Sequence, residues 1–229
     1  MATFLITGAN RGIGLELVRQ AAADGHHVLA ACRGPGRAKE LKALEARDDC
    51  DVEVVPMDVA EANSIGTAKT HIGTKPIHVL INNAGIMGDD PQSPLDMNFD
   101  VLTKVLAVNT VAPLRVTKAF LPNLEATKGK VIVISSGMGS FGYEETSKMA
   151  YCTSKTAVNR LFHGLASALR PKGVAVGIYS PGWVRTAMGG PGATLSVEES
   201  ARGLLQQIEK LDLARSGSFS NYAGRQLNW

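Results

Sequence analysis

The sequence has few cysteines and no pattern among them. Cys32, Cys50 and Cys152 are odd in number, widely spaced and without any CxxC, which fits neither a disulfide framework nor a zinc site. Of the five histidines only His26 and His27 stand close together, so no metal is expected. That usage points to a reduced, cytoplasmic protein. Long apolar runs are missing as well. The N-terminus offers only Phe4-Leu5-Ile6 before polar residues, and nothing approaches the roughly 18 residues of a membrane span. Neither a secretory leader nor a membrane partner is expected. An excess of one charge is absent too: 24 Lys+Arg against 21 Asp+Glu leave a net charge of +3, without a basic run long enough to hold a phosphate backbone. Nucleic acid is therefore not an expected partner.

What remains is a chain of 229 residues, 45% apolar and 20% charged, with no internal repeat or low-complexity linker. One domain of this size buries roughly 70% of the surface its unfolded chain exposes, so it needs no staples. Short β-branched runs at 3–7, 27–32, 52–58, 78–82, 130–135 and 174–180 alternate with stretches of helical period at 14–24, 37–47, 61–72, 98–124 and 151–169. Runs such as Val131-Ile132-Val133-Ile134 are apolar on both faces, as a strand covered from both sides must be. The fold class expected is α/β, a single domain over 1–229 built on a Rossmann-type doubly wound parallel sheet. After Ser180 a Gly/Pro-rich stretch leads to a helix at 197–211, with Ser196 and Glu199 as a capping box. A short strand around Phe219 follows, and Trp229 is expected at a core edge or an interface.

The first run passes directly into Gly8-Ala9-Asn10-Arg11-Gly12-Ile13-Gly14 and then a helical stretch. Glycine there lets the backbone approach a diphosphate, and the helix presents unpaired N–H groups and the positive end of its dipole. Position favours dinucleotide binding over a plain turn. In such sites an acid about 20 residues beyond the glycines takes the ribose 2′-hydroxyl of NAD. Here the second strand ends in Ala31-Cys32-Arg33, with Arg37 shortly after. Arg33, with Arg11 as the opposite jaw, suits a 2′-phosphate and so NADP(H); the alternative is a set of solvated loop charges. Asp58, ending the third strand beside Val59, is placed to accept from an adenine amino group. Asn82-Asn83-Ala84-Gly85 ends the fourth, where small residues let the chain pass near a ribose. Turn chemistry explains both equally well.

Tyr151-Cys152-Thr153-Ser154-Lys155 opens a helix, and positions i and i+4 share a helix face. A cation beside a phenol favours the phenolate and makes a better proton shuttle. The pair follows a strand ending in Ser135-Ser136, at the sheet edge where ligands bind in such folds.

With Thr7 through Gly14, Asn82 through Gly85, Asn109, Ser136, Tyr151-x-x-x-Lys155 and Pro181-Gly182 in order, the chain resembles the short-chain dehydrogenase/reductase family over residues 3–211. The ending from Asn221 to Trp229 is similar to the C-factor and Sniffer-like carbonyl reductase group. The resemblance implies a nicotinamide oxidoreductase in which Tyr151 protonates a carbonyl oxygen as hydride arrives. It further implies that Lys155 binds the nicotinamide ribose, Ser136 bonds the substrate oxygen, Asn109 holds a water leading to Lys155, and Thr186 meets the carboxamide. Pro181, Gly182 and Val184 complete the implied cofactor contacts, with Gly8, Asn10, Arg11, Gly12, Ile13, Gly14, Arg33, Asp58, Val59, Asn83, Ala84 and Gly85. Ser136 stands 15 residues before Tyr151, where the family usually has about 13, so Ser135 and Ser140 stay open for its role. The expected activity is NADPH-dependent reduction of small aldehydes, ketones and quinones by a homodimer. An NAD(P)-binding signalling or sensor protein of the C-factor type is the alternative. Between Thr186 and Val197, three glycines and a proline in ten residues cannot sustain the family's helical lid, so an open cleft edged by Met138, Phe141, Trp183 and Met188 is expected.

Overall fold

The computed structural model describes residues 1–229. Strands β1 (Thr3–Thr7), β2 (His27–Cys32), β3 (Val52–Pro56) and β4 (Val79–Asn82) alternate with helices α1 (Gly12–Ala23), α2 (Lys39–Glu45) and α3 (Ala62–Ile72). A two-residue hairpin, β5 (Gln92–Ser93) with β6 (Asp96–Met97), precedes α4 (Phe99–Leu106) and α5 (Ala112–Glu125). The chain then forms β7 (Lys130–Ile134), α6 (Met149–Leu169), β8 (Ala175–Ser180), α7 (Val197–Lys210) and β9 (Phe219–Asn221).

The large sheet has seven strands in the order β3-β2-β1-β4-β7-β8-β9, all parallel. Winding runs outward from β1 to β3 and then outward the other way from β4, so β1 and β4 flank the point where the order reverses. Alternation within each strand feeds two separate cores. Phe4, Ile6, Val28, Ala30, Val79, Ile81 and Ile132 pack against α1, α2 and α7. Leu5, Leu29, Leu80, Val131, Val133, Val176 and Ile178 pack against α3, α5 and α6. Both faces are thus dry, which is why these strands read as continuous apolar runs.

Several boundaries differ from the sequence reading. The third strand stops at Pro56, so Asp58 lies in the following loop, where its carboxylate accepts the Ala60 N–H at 3.0 Å. A 3₁₀ turn over Pro35–Arg37 delays α2 to Lys39. The long helix expected over 98–124 is broken by a π turn at Ala107–Val111. Pro113 has no N–H to give the carbonyl four residues back, Asn109, and the ladder shifts so that the Ala112 N–H reaches the Ala107 carbonyl instead. Half of the capping box forms, the Ser196 hydroxyl accepting the Glu199 N–H at 3.1 Å. No helix is long and apolar enough to cross a membrane.

Candidate active site

The glycine turn, Asp58, Asn82 to Gly85, Ser136 and Pro181 to Thr186 all follow strand ends, so a parallel sheet delivers them to one edge, at the switch point between β1 and β4. The turn after β1 is drawn tight. Gly8 and Gly12 have φ of +66° and +53°, and a Cβ on Gly14 would lie 2.3 Å from the Gly8 carbonyl oxygen. Arg11 caps α1 without a side-chain bond, and the backbone N–H groups of Gly12, Ile13 and Gly14 meet no protein acceptor. Together they form a cradle that fits a diphosphate. Arg11, Arg33 and Arg37 are exposed and in no ion pair, and the Arg37 guanidinium lies back over Gly34, next to Arg33. Three unpaired cations beside this cradle fit an additional phosphate on the ribose.

The Asn83 side chain ties two strand ends together. Its amide donates to the Thr7 and Gly8 carbonyls at 2.9 and 3.3 Å, and the Thr7 hydroxyl accepts the N–H groups of Asn83 and Ala84, both at 3.1 Å. The end of β4 is therefore stitched to the glycine turn. Across the cleft the Thr186 methyl packs on Gly12, so the turn after β1 and the loop after β8 form one surface.

Burial and the π turn fix the other groups. Asn109 is 1% exposed; its amide donates to the Ile86 carbonyl at 2.8 Å and the Ser154 hydroxyl at 3.0 Å, while its oxygen accepts the Ile86 N–H. Asn109 and the Lys155 ammonium both approach Gly85, where a Cβ would lie 3.3 Å from the Asn109 oxygen and 3.7 Å from the Lys155 nitrogen. The Lys155 Nζ donates to the Ile134 carbonyl at 2.8 Å, which leaves two of its three N–H bonds for a ligand. It sits 5.6 Å from the centre of the Tyr151 ring.

Of the three candidate serines, Ser135 donates to Asn159 at 2.5 Å and Ser140 donates to the Trp229 carbonyl at 3.4 Å. Ser136 accepts only the Met138 N–H of its own turn, at 3.2 Å, and lies near enough to the Tyr151 phenol to oppose the effect of burial on it. Burial works against the tilt toward phenolate that the neighbouring cation favours. Burial pushes the phenol up to about 12, with Ser136 opposing, and pushes Lys155 down to about 8. Both groups are nearly closed off from water, and desolvation is the leading cause of each shift.

Sequence reasoning missed Gln92. The N-cap residue of α6, Lys148, supplies no side-chain cap, and the buried Gln92 carbonyl oxygen takes the Tyr151 N–H at 3.1 Å in its place. Its amide donates to the Met87 carbonyl at 3.2 Å, and Lys148 pairs with Asp90 at 2.7 Å. No periodicity marks that loop, so only the folded chain reveals the contact.

The loop after β8 forms no helix, as its glycines require. It closes on itself through Arg185 N–H to the Leu195 carbonyl at 2.9 Å and the Trp183 indole to the Gly189 carbonyl at 2.8 Å. Phe141, Trp183 and Met188 stand exposed around it, with Met138 half-buried.

The short chain dehydrogenase family matches residues 2–193. C-signal of Myxococcus xanthus is 38% identical over 162 residues, which span 70% of this chain and 97% of that protein. The NADPH-bound carbonyl reductase from chicken fatty liver is similar in structure over 100% of this chain and 99% of its own, with a TM-score of 0.92 and 32% identity. Carbonyl reductase Sniffer of D. melanogaster is similar over 100% of both chains, with a TM-score of 0.89 and 31% identity.

Proposed function

The chain belongs to the short-chain dehydrogenase family, whose members are nicotinamide-dependent oxidoreductases, and from that premise we propose that it reduces small aldehydes, ketones and quinones with NADPH. The observation that carries this reading is the placement of the buried Tyr151 phenol one helical turn from the buried Lys155 ammonium, which lies 5.6 Å from the ring centre. The phenol has a proton to give at neutral pH, and the ammonium offsets the negative charge left once that proton has gone to the carbonyl oxygen.

NADPH, when bound, supplies the hydride. The N–H groups of Gly12, Ile13 and Gly14 hold its diphosphate, with Gly8 and Asn10 completing the turn. Arg11 and Arg33 take the 2′-phosphate. Asp58 and Val59 border the adenine, and Ala84 and Gly85 leave room for the nicotinamide ribose, to which Lys155 donates. Pro181, Gly182, Val184 and Thr186 meet the nicotinamide side. Ser136 donates to the substrate oxygen and aims it at Tyr151, which gives its proton as the oxygen gains charge. Lys155 then stabilises the phenolate left behind, and Asn109, anchored to Ile86, leads toward a water that returns the proton.

Apolar side chains edge the cleft, and apolar contact discriminates by only about 1–3 kcal/mol per methylene, so breadth of substrate belongs to the proposal. Oxidation of NADPH against about ten unrelated carbonyls tests it. Modest, similar kcat/KM values are expected, and one substrate ahead by more than about 10⁴-fold would replace the open cleft with a selective site. The likeness to C-signal favours a second reading, a dinucleotide-binding signalling protein with little turnover. NADPH binding with no reduction across the panel would favour it. The reading includes a cytoplasmic homodimer formed through the outer faces of α5 and α6, which sedimentation would check.

A further inference from the structure

Beyond Ser136 a pocket of about 310 Å³ opens between the Gly137–Tyr143 loop and the returning chain at 225–228. Gly137, in its lining, directly follows the serine assigned to the substrate oxygen. Ser140, Tyr143, Arg225, Gln226 and Asn228 are the polar residues of its lining.

Both walls are fastened. The Trp229 carbonyl accepts the Phe141 N–H at 3.2 Å and the Ser140 hydroxyl at 3.4 Å. The Trp229 ring stacks on Phe219 at 5.7 Å and meets His163 edge-on at 5.0 Å. The Asn221 side chain accepts the Arg225 N–H at 2.9 Å and so fixes the turn that carries Arg225.

The pocket has one cation and no acid in its lining. Arg225 enters no ion pair. Of the nearby acids, Glu145 is turned onto the N–H groups of Thr146 and Ser147, and Glu144 stands exposed outside the lining. A lining rich in residues with hydroxyl, amide and guanidinium donors, with no Asp or Glu among them, suits a planar oxyanion. We propose that this pocket receives the non-reacting end of the substrate and that this end carries a carboxylate, bound by Arg225. The proposal rests on the carbonyl-reductase reading and narrows it to carbonyl acids.

The test compares 4-formylbenzoate and 3-(4-formylphenyl)propanoate, each with its methyl ester, as substrates with NADPH. Within a pair only the charge and its small cap differ, so the acid-to-ester ratio of kcat/KM reads the pocket and cancels general effects on catalysis. At least one pair should favour the acid about tenfold. Arg225→Gln should bring that ratio near one, and Arg225→Lys should restore part of it. No acid preference in either pair, or a preference that survives Arg225→Gln, overturns the proposal. If none of the four compounds is turned over, the carbonyl-reductase reading fails by itself. Calorimetric titration of the NADPH-loaded protein with the same pairs then decides the pocket: an acid preference abolished by Arg225→Gln upholds it, and equal binding overturns it.

Discussion

The Gln92 carbonyl oxygen accepts the Tyr151 N–H across 59 residues of chain, so the loop that leaves Gly85 also holds the first turn of α6. Losing that acceptor strands a buried N–H, at a cost of about 1–3 kcal/mol. Gln92→Leu should lower kcat about tenfold, because the phenol moves relative to Ser136, with KM for NADPH little changed. Gln92→Glu keeps the acceptor for Tyr151 but turns a buried carboxylate oxygen on the Met87 and Asp89 carbonyls, so it should recover only part of the loss. An unchanged kcat in Gln92→Leu would mean that this cap does not position Tyr151.

Tyr151→Phe keeps the ring and removes the acid. General acid catalysis contributes about 10²–10⁴-fold, so turnover should fall by that range while NADPH binding survives. Near-normal turnover would remove Tyr151 from the chemistry.

Arg33 lies exposed at the end of β2 without a partner. Its charge-assisted contact with a 2′-phosphate should be worth about 1.5–3 kcal/mol, or about 10- to 150-fold in affinity for NADPH over NADH. Arg33→Asp should reverse the preference. Equal binding of the two cofactors by the unmodified protein would contradict the assignment.

The pH profile follows from the two buried groups. Lys155, pushed down to about 8, is charged below that pH and loses its proton above it; Tyr151, pushed up to about 12, stays protonated throughout. The kcat/KM for NADPH, which reports the free enzyme, should be flat from pH 6 to 7.5 and fall through pH 8 to 9. A profile flat to pH 10 would show that Lys155 keeps its charge or has no part in binding.

The glycine turn and the Tyr-Lys pair were legible because both are local. A strand running into Gly8 to Gly14, and two side chains one helical turn apart, are stated by adjacent residues. The π turn at Asn109 was hidden inside an unbroken apolar periodicity, with Pro113 as its one visible cause. Gln92 gave no signal, since a cap supplied from a distant loop leaves no trace near the helix it caps. The burial of Tyr151 is of the same kind: the cation is a neighbour in sequence, but the desolvation that acts against it comes from packing. Asn83 was visible as a turn residue, yet which carbonyls it ties together depends on β1 and β4 lying side by side.

The returning tail has one more consequence. As the last strand of the sheet, β9 would offer its outer backbone groups to any passing extended chain. The tail already occupies them: Ser220 pairs antiparallel with Gln226, the Leu227 N–H bonds the Phe219 carbonyl at 2.9 Å, and the Asn221 N–H bonds the Arg225 carbonyl at 2.9 Å. The same few residues that wall the pocket thereby seal that margin of the sheet against strand addition and the aggregation it seeds.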